Sequence, residues 1–257
     1  QRLSHVLSGA LQAGAFMVIS VSAYYIIKKR HEKFARASLA IALWVALFGA
    51  VMQVVTGHWS AIGVSQHQPA KLAALEGHFA ANAPADLYLF GWVDEQQQQV
   101  RFGIRLPGML SFLVHGDRTK PVPGLKAFKP EDRPPVNIVF QAYHLMVGIG
   151  TLLLTIAVIG VFWWWRDTLF KKTWFLWVLV FSVLGPQISN QAGWVAAEVG
   201  RQPWIVYGQL RTAEGVSPNI TSGEVWASLI MFGVIYSLLF ILFIYLLDHK
   251  IKHGPEE

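Results

Sequence analysis

The chain has 257 residues, of which 54% are hydrophobic and only 14% charged, with 11 Trp; that balance belongs in a lipid bilayer. Zero Cys excludes disulfides, thiolate metal sites, iron–sulfur clusters and covalent c-type haem attachment. The net charge of +6 sits mostly in short connections between apolar runs, where it reads as a topology signal and not as nucleic-acid affinity.

Five apolar stretches, at 4–27, 37–57, 136–165, 173–197 and 223–247, are long enough to cross ~30 Å of hydrocarbon at ~1.5 Å per residue. They predict an all-α integral membrane protein of five transmembrane helices with one long extracytoplasmic loop. Residues 1–57 would carry two spans, 58–135 the loop, and 136–257 three spans and a short tail. The first stretch lacks an initiator Met, a basic leader and a small-residue cleavage site, so a signal peptide is not expected. A cut or N-terminally incomplete chain is. Lys28, Lys29, Arg30, Lys33 and Arg36 follow the first span, Arg166, Lys171 and Lys172 the third, and Lys250 and Lys252 the fifth. The positive-inside rule makes these ends, and the C-terminus, cytoplasmic. The N-terminus, the 58–135 loop and the 198–222 connection then face outward.

Ionisable groups at membrane depth are functional candidates. His5 lies in SHVLSGALQAGAF, whose small residues Ser8, Gly9, Ala10, Ala13 and Gly14 leave room for a flat macrocycle or a close helix neighbour. A neutral imidazole there can ligate haem iron; the plainer alternative is a surface histidine at a helix end.

The segment GHWSAIGVSQHQPAKLAALEGHF, residues 57–79, places a lysine, a glutamate and three histidines just outside an apolar run. Such a segment suits a lipid-soluble, proton-carrying substrate. Its 66–79 part reads as a short amphipathic helix started by Pro69, with Leu72, Leu75 and Phe79 on the apolar face. Lys71 and Glu76 then fall on different flanks. They are either a solvated charged face over lipid or a quinol site, with Glu76 accepting a hydroxyl proton and Lys71 holding the anionic oxygen. Residues 94–133, with QQQQ and several Pro and Gly, are expected to be extended or mobile.

In FQAYHLMVGIGTLLL, His144 and Met146 both have side chains able to ligate iron. Two apart on a helix they point about 200° from each other, so only one faces a given iron. Met in such a helix is ordinarily packing, and residue chemistry alone pairs His144 with His5. The fourth span, ending GPQISNQAGWVAAEVGRQPW, invites a kink at Gly185–Pro186. Glu198 and Arg201 at its outer end make either a helix-end ion pair or a metal ligand or proton relay beside a partner for an anionic cofactor group.

QPAKLAALEGHF, AGWVAAEVGRQPW and GQLRTAEGVSP, in that order and with a loop between, resemble the large haem-bearing subunit (subunit I) of cytochrome bd quinol oxidases. The resemblance covers nearly the whole chain but only the C-terminal five helices of that subunit. It implies a terminal oxidase that oxidises quinol at the outer face and passes electrons through a low-spin haem b to a high-spin haem b and haem d, where oxygen becomes water. By this resemblance His5 and Met146 are the axial ligands of the low-spin haem, which reverses the preference for His144; better-known members carry Arg at that position. Lys71 and Glu76 match residues of quinol oxidation. Glu198 matches a high-spin haem ligand, with Arg201 and Trp194 beside it at the cofactor.

The implied partners are membrane lipid, quinol, a polypeptide supplying the N-terminal four helices, a second homologous large subunit and small single-helix subunits. The implied home is a bacterial or archaeal cytoplasmic membrane, and activity is expected only when the complex is complete. The alternative is a non-oxidase, quinone-reactive cytochrome b module that hands electrons to a partner. A transporter built on Glu198 and the kinked helix would leave the loop motif unexplained.

Overall fold

The computed structural model describes residues 2–255. Its long helices are α1 (Arg2–Ile27), α2 (Glu32–His67), α5 (Val136–Trp165) and α8 (Ser222–His253). All four are long and apolar enough to cross a bilayer. Between them lie α3 (Pro69–Leu75), strands β1 (Leu87–Asp94) and β2 (Gln99–Leu106), α4 (Met109–His115), α6 (Thr173–Phe181), α7 (Leu184–Val199) and the short strands β3 (Trp204–Val206) and β4 (Leu210–Arg211). The expectation of an all-α chain is therefore amended by two small antiparallel ribbons, β1–β2 and β3–β4, both in connections.

The stretch 173–197, expected as one continuous span, is broken into α6 and α7 around Ser182 and Val183. Pro186 has no N–H to give the carbonyl of Ser182 one turn earlier. The Gly185 amide takes that carbonyl instead, at 3.0 Å. The Ser182 hydroxyl turns back on the Leu179 carbonyl at 2.7 Å, so the break leaves these polar groups paired inside apolar surroundings.

α1 packs along α2 and α6, and α5 along α2 and α7. Their core is formed by Phe16, Ile19, Leu39, Leu43, Leu153, Phe175 and Leu179. Small residues let these helices approach. A Cβ at Gly160 would fall 2.7 Å from Leu43 Cδ2, and one at Gly185 2.8 Å from Leu153 Cδ2. α8 differs: none of its 32 residues is buried. Its polar ties to the bundle are at its C-terminal end, where Tyr25 Oη donates to the Ile251 carbonyl at 2.7 Å and Arg30 to that of Lys252, also at 2.7 Å. Arg36 lies over the Phe170 ring at 4.6 Å. The basic connections after α1 and α5 and the end of α8 thus gather at one end of the bundle.

The opposite end carries the loop. α2 runs ten residues beyond the expected end at 57, to His67, and α3 follows with Pro69 in its first turn. The expected 66–79 amphipathic helix is shorter: α3 stops at Leu75, Phe79 lies beyond its end, and Ala70, Ala73 and Ala74 are buried along with Leu72, Leu75 and Phe79, so the helix is covered nearly all round. Leu72, Leu75 and Phe79 meet Val139, Phe140 and Val122 and not lipid. Residues 94–133, expected to be extended or mobile, carry the extended strand β2 but also α4 and two single 3-10 turns, Leu125–Ala127 and Pro130–Asp132. Of the glutamines, Gln96–Gln98 lie in the turn of the β1–β2 hairpin and Gln99 opens β2. Three α5 residues one turn apart pin that hairpin: the Asn137 amide donates to Glu95 Oε1 at 3.0 Å, Gln141 Nε2 to the Gly91 carbonyl at 2.7 Å, and His144 Nε2 meets the Tyr88 carbonyl at 2.8 Å.

Candidate functional site

Local backbone chemistry fixes where the two charged residues of α3 go. The helix ends in a Schellman motif: the amide of His78 reaches the Ala73 carbonyl at 2.8 Å and that of Gly77 the Ala74 carbonyl at 3.3 Å. Gly77 has φ +59°, and a Cβ there would lie 2.9 Å from Val100 Cγ2 and 3.1 Å from the Phe140 ring. Only glycine satisfies both the left-handed turn and the close approach. The Glu-Gly pair of the sequence motif therefore seats Glu76 as the C-cap and Gly77 against α5 and the hairpin.

Glu76 is 3% exposed, and its Oε2 has no partner among the described residues. The phenol of Tyr143 on α5 sits against its carboxyl. Burial pushes the carboxyl up to about 7, while Tyr143 pulls in the other direction. Sequence reading missed Tyr143. Nothing in its spacing marks it, because what singles it out is a contact with a residue in another element.

Lys71 leaves the other flank of α3. Its Nζ donates to the Ala197 carbonyl in the last turn of α7 at 2.8 Å, a favourable place for a cation at a helix C-terminus. Gly200 makes room for it: a Cβ there would sit 3.2 Å from both Cγ and Cε of Lys71. Burial brings this amine down to about 8; Arg2 adds to the effect, Glu198 opposes it, and Arg201 adds a smaller push. Lys71 is thus grouped with Glu198 and Arg201, and Glu76 with Tyr143. The two flanks stay separate, as the helical spacing requires.

Glu198 and Arg201 form an ion pair across one turn, both partly exposed, and Arg201 Nε is buried with no hydrogen-bond partner among the described residues. Such a pair contributes little to stability by itself. Trp194 stands 64% exposed on α7.

Deeper in the bundle, His5 Nδ1 lies 3.0 Å from Thr56 Oγ1 of α2, and Gln53 Nε2 donates to the His5 carbonyl at 3.0 Å. His5 Nε2 has no hydrogen-bond partner among the described residues. His144 is the opposite case. Its Nδ1 faces the Phe140 carbonyl at 2.9 Å and its Nε2 the Tyr88 carbonyl, and its ring stacks on Phe140 at 3.8 Å. Met146 lies against α7, where Ser189 Oγ donates to its carbonyl at 3.2 Å and a Cβ on Gly193 would fall 2.7 Å from its Sδ. Among the described residues, a Cβ at Gly14, Gly148 or Gly150 would meet nothing within 4 Å.

The family described as cytochrome bd terminal oxidase subunit I matches residues 1–255. The chain is 34% identical over 262 residues to the cytochrome bd ubiquinol oxidase subunit 1 of Bacillus subtilis (strain 168), covering 98% of this chain and 56% of that protein. To the cytochrome bd-II ubiquinol oxidase subunit 1 of Escherichia coli (strain K12) it is 26% identical, covering 98% and 62%. Its fold superposes on bd oxidase from Geobacillus thermodenitrificans with a TM-score of 0.86 at 32% identity, covering 98% of this chain and 57% of that one. The chain spans a little over half the length of these relatives. It is an integral membrane protein that belongs to the cytochrome bd terminal oxidase subunit I family.

Proposed function

We propose that this chain is the quinol-oxidising and low-spin-haem portion of a respiratory terminal oxidase, working at the outer face of a bacterial cytoplasmic membrane. The observation that carries the reading is the gathering of Lys71 with Glu198 and Arg201, and of Glu76 with Tyr143, at the end of the bundle remote from the basic connections. By the positive-inside rule that remote end faces outward, with α6 and α7 together making a fifth crossing.

His5 and Met146 are the donors we assign to a low-spin haem b. The support is chemical: His5 keeps one ring nitrogen unengaged, whereas both nitrogens of His144 face carbonyls. His144 then serves as the latch between α5 and β1. Glu198 is assigned to one high-spin haem, with Arg201 holding its carboxylate. When bound, these haems supply one-electron transfer and oxygen reduction. The second high-spin centre, as haem d, would draw on helices outside this segment, together with a homologous large subunit and small single-helix subunits.

Quinol oxidation releases two protons for two electrons. Glu76, ionised above about 7, would take a hydroxyl proton as an electron leaves, while Lys71, cationic below about 8 and on the other flank of α3, would favour anionic oxygen on its own side. Protons released on this side and protons consumed from the cytoplasm would generate a potential without a pump.

The test is a dithionite-reduced minus air-oxidised spectrum of the complex purified through this chain, for the wild type and for Met146→Leu. The wild type is expected to show a low-spin b band and a red chlorin band. Met146→Leu is expected to convert the low-spin haem to high-spin. An unchanged low-spin spectrum in the variant overturns Met146 as ligand. In the wild type, b-type bands alone move the assignment to a non-oxidase electron-transfer module.

A further inference from the structure

We propose that Thr56 is a positioning residue for His5, fixing the ring in the tautomer that carries its proton on Nδ1 and leaves Nε2 as the lone-pair donor. The inference rests on the reading of His5 as an iron ligand and names the residue that prepares it. A threonine hydroxyl has one hydrogen to give. Thr56 Oγ1 lies 2.6 Å from the Met52 carbonyl one turn back, and a carbonyl can only accept. The hydrogen is committed there. Toward His5 Nδ1, at 3.0 Å, the same oxygen acts as acceptor, so Nδ1 must bring the hydrogen. A neutral imidazole carries one N–H, so Nε2 is bare.

The surroundings hold this arrangement. Thr56 is 6% exposed, so bulk water does not compete for its oxygen. Gln53, on the same face of α2 one turn earlier, binds the His5 carbonyl at 3.0 Å, and α1 is thereby gripped at both the ring and the backbone. Gly57 follows directly, and a Cβ there would come 3.4 Å from His5 Cε1. The ring is thus bounded on the α2 side by Thr56 and the bare edge of Gly57. Gly9 accommodates the clamp from α1, since a Cβ at that position would fall 2.8 Å from Gln53 Nε2 and 3.2 Å from Asn190 Oδ1.

An Nδ1–H bond to a fixed acceptor makes an imidazole a more basic ligand and so favours the oxidised metal. The experiment is a potentiometric titration of the low-spin α-band in the assembled complex, comparing wild type, Thr56→Val, Thr56→Ala, Thr56→Ser and His5→Ala. Thr56→Val keeps the shape and removes the acceptor; Thr56→Ala guards against misfit of the second methyl. Both are expected to retain the low-spin band with its midpoint potential shifted upward, and Thr56→Ser to restore the wild-type potential. An unshifted or lowered potential in Val and Ala overturns the proposal, provided His5→Ala abolishes the band. If His5→Ala leaves the low-spin band intact, the ligand reading itself falls and this inference with it.

Discussion

Lys71 and Glu76 come from the same short helix and face opposite surroundings. Glu76 is buried at 3% exposure, with the Tyr143 phenol of α5 as its polar neighbour. Lys71 lies along the end of α7 among charges, tied to a helix-terminal carbonyl. Desolvation acts on both but with opposite sign, because it penalises the charged form whichever form that is. The acid moves from an ordinary 4.5 up to about 7 and the amine from 10.5 down to about 8. A carboxylate able to accept a proton and an ammonium able to steady an anion therefore coexist at neutral pH, both close to exchanging protons. On a solvated face the same residues would remain fully ionised there and poorly matched to quinol chemistry.

The comparison breaks most sharply at Glu76. Glu76→Gln keeps shape and burial but removes the base, and quinol-driven turnover is expected to fall about 100-fold, the lower range for loss of a positioned general base. Artificial one-electron donors should still reduce the haem at the wild-type rate. Equal loss with both donors would count against a quinol role. The pH profile sharpens the same point. Wild-type quinol oxidation should be greatest between about 7 and about 8, falling below as Glu76 protonates and above as Lys71 loses its proton. Glu76→Gln should abolish the acid limb and leave the alkaline one.

Lys71→Met tests the other flank. The apolar stem can still lie against Gly200, so the fold is expected to hold, while the charge and the contact with the Ala197 carbonyl are lost. A charge-assisted contact of the ammonium with an anionic quinol oxygen is worth about 1.5 kcal/mol, so its removal is expected to cost roughly tenfold in quinol kcat/KM, with the alkaline limb removed. An alkaline limb that persists in Lys71→Met would assign it to another group.

How much of this was readable in advance follows from the range of each interaction. The boundaries of α1 and α5 were legible because hydrophobic length reports them directly, whereas the expected helix over 66–79 overran, because Gly77 ends α3 and leaves Phe79 outside it. The break at Ser182 was anticipated in kind from Gly185 and Pro186, though it falls slightly earlier, where the proline's missing N–H is felt. The hairpin was not legible. Its strands hold few of the usual turn signals, and its place is set by Asn137, Gln141 and His144 on α5. Spacing put Lys71 and Glu76 on separate flanks but could not say what each flank faces. For the same reason Thr56 and Tyr143 went unread, since their significance lies wholly in a partner far along the chain.

Tyr143→Phe is the finest test of the contrast, because it alters what the buried acid touches without altering the acid. The phenol pulls the Glu76 carboxyl back toward ionisation against the larger effect of burial. Removing it leaves burial less opposed, so the acid limb of quinol oxidation should move to higher pH. At pH 7 turnover should fall about twofold, the loss of ionised Glu76 that ~0.6 kcal/mol for one modest interaction produces at an acid titrating at about 7. At pH 8, with Glu76 ionised in either protein, the difference should narrow. A merely structural tyrosine would instead lower the rate by the same factor at every pH. The displaced limb is thus the sign that Tyr143 acts through the carboxyl, and a uniform loss would reduce it to packing.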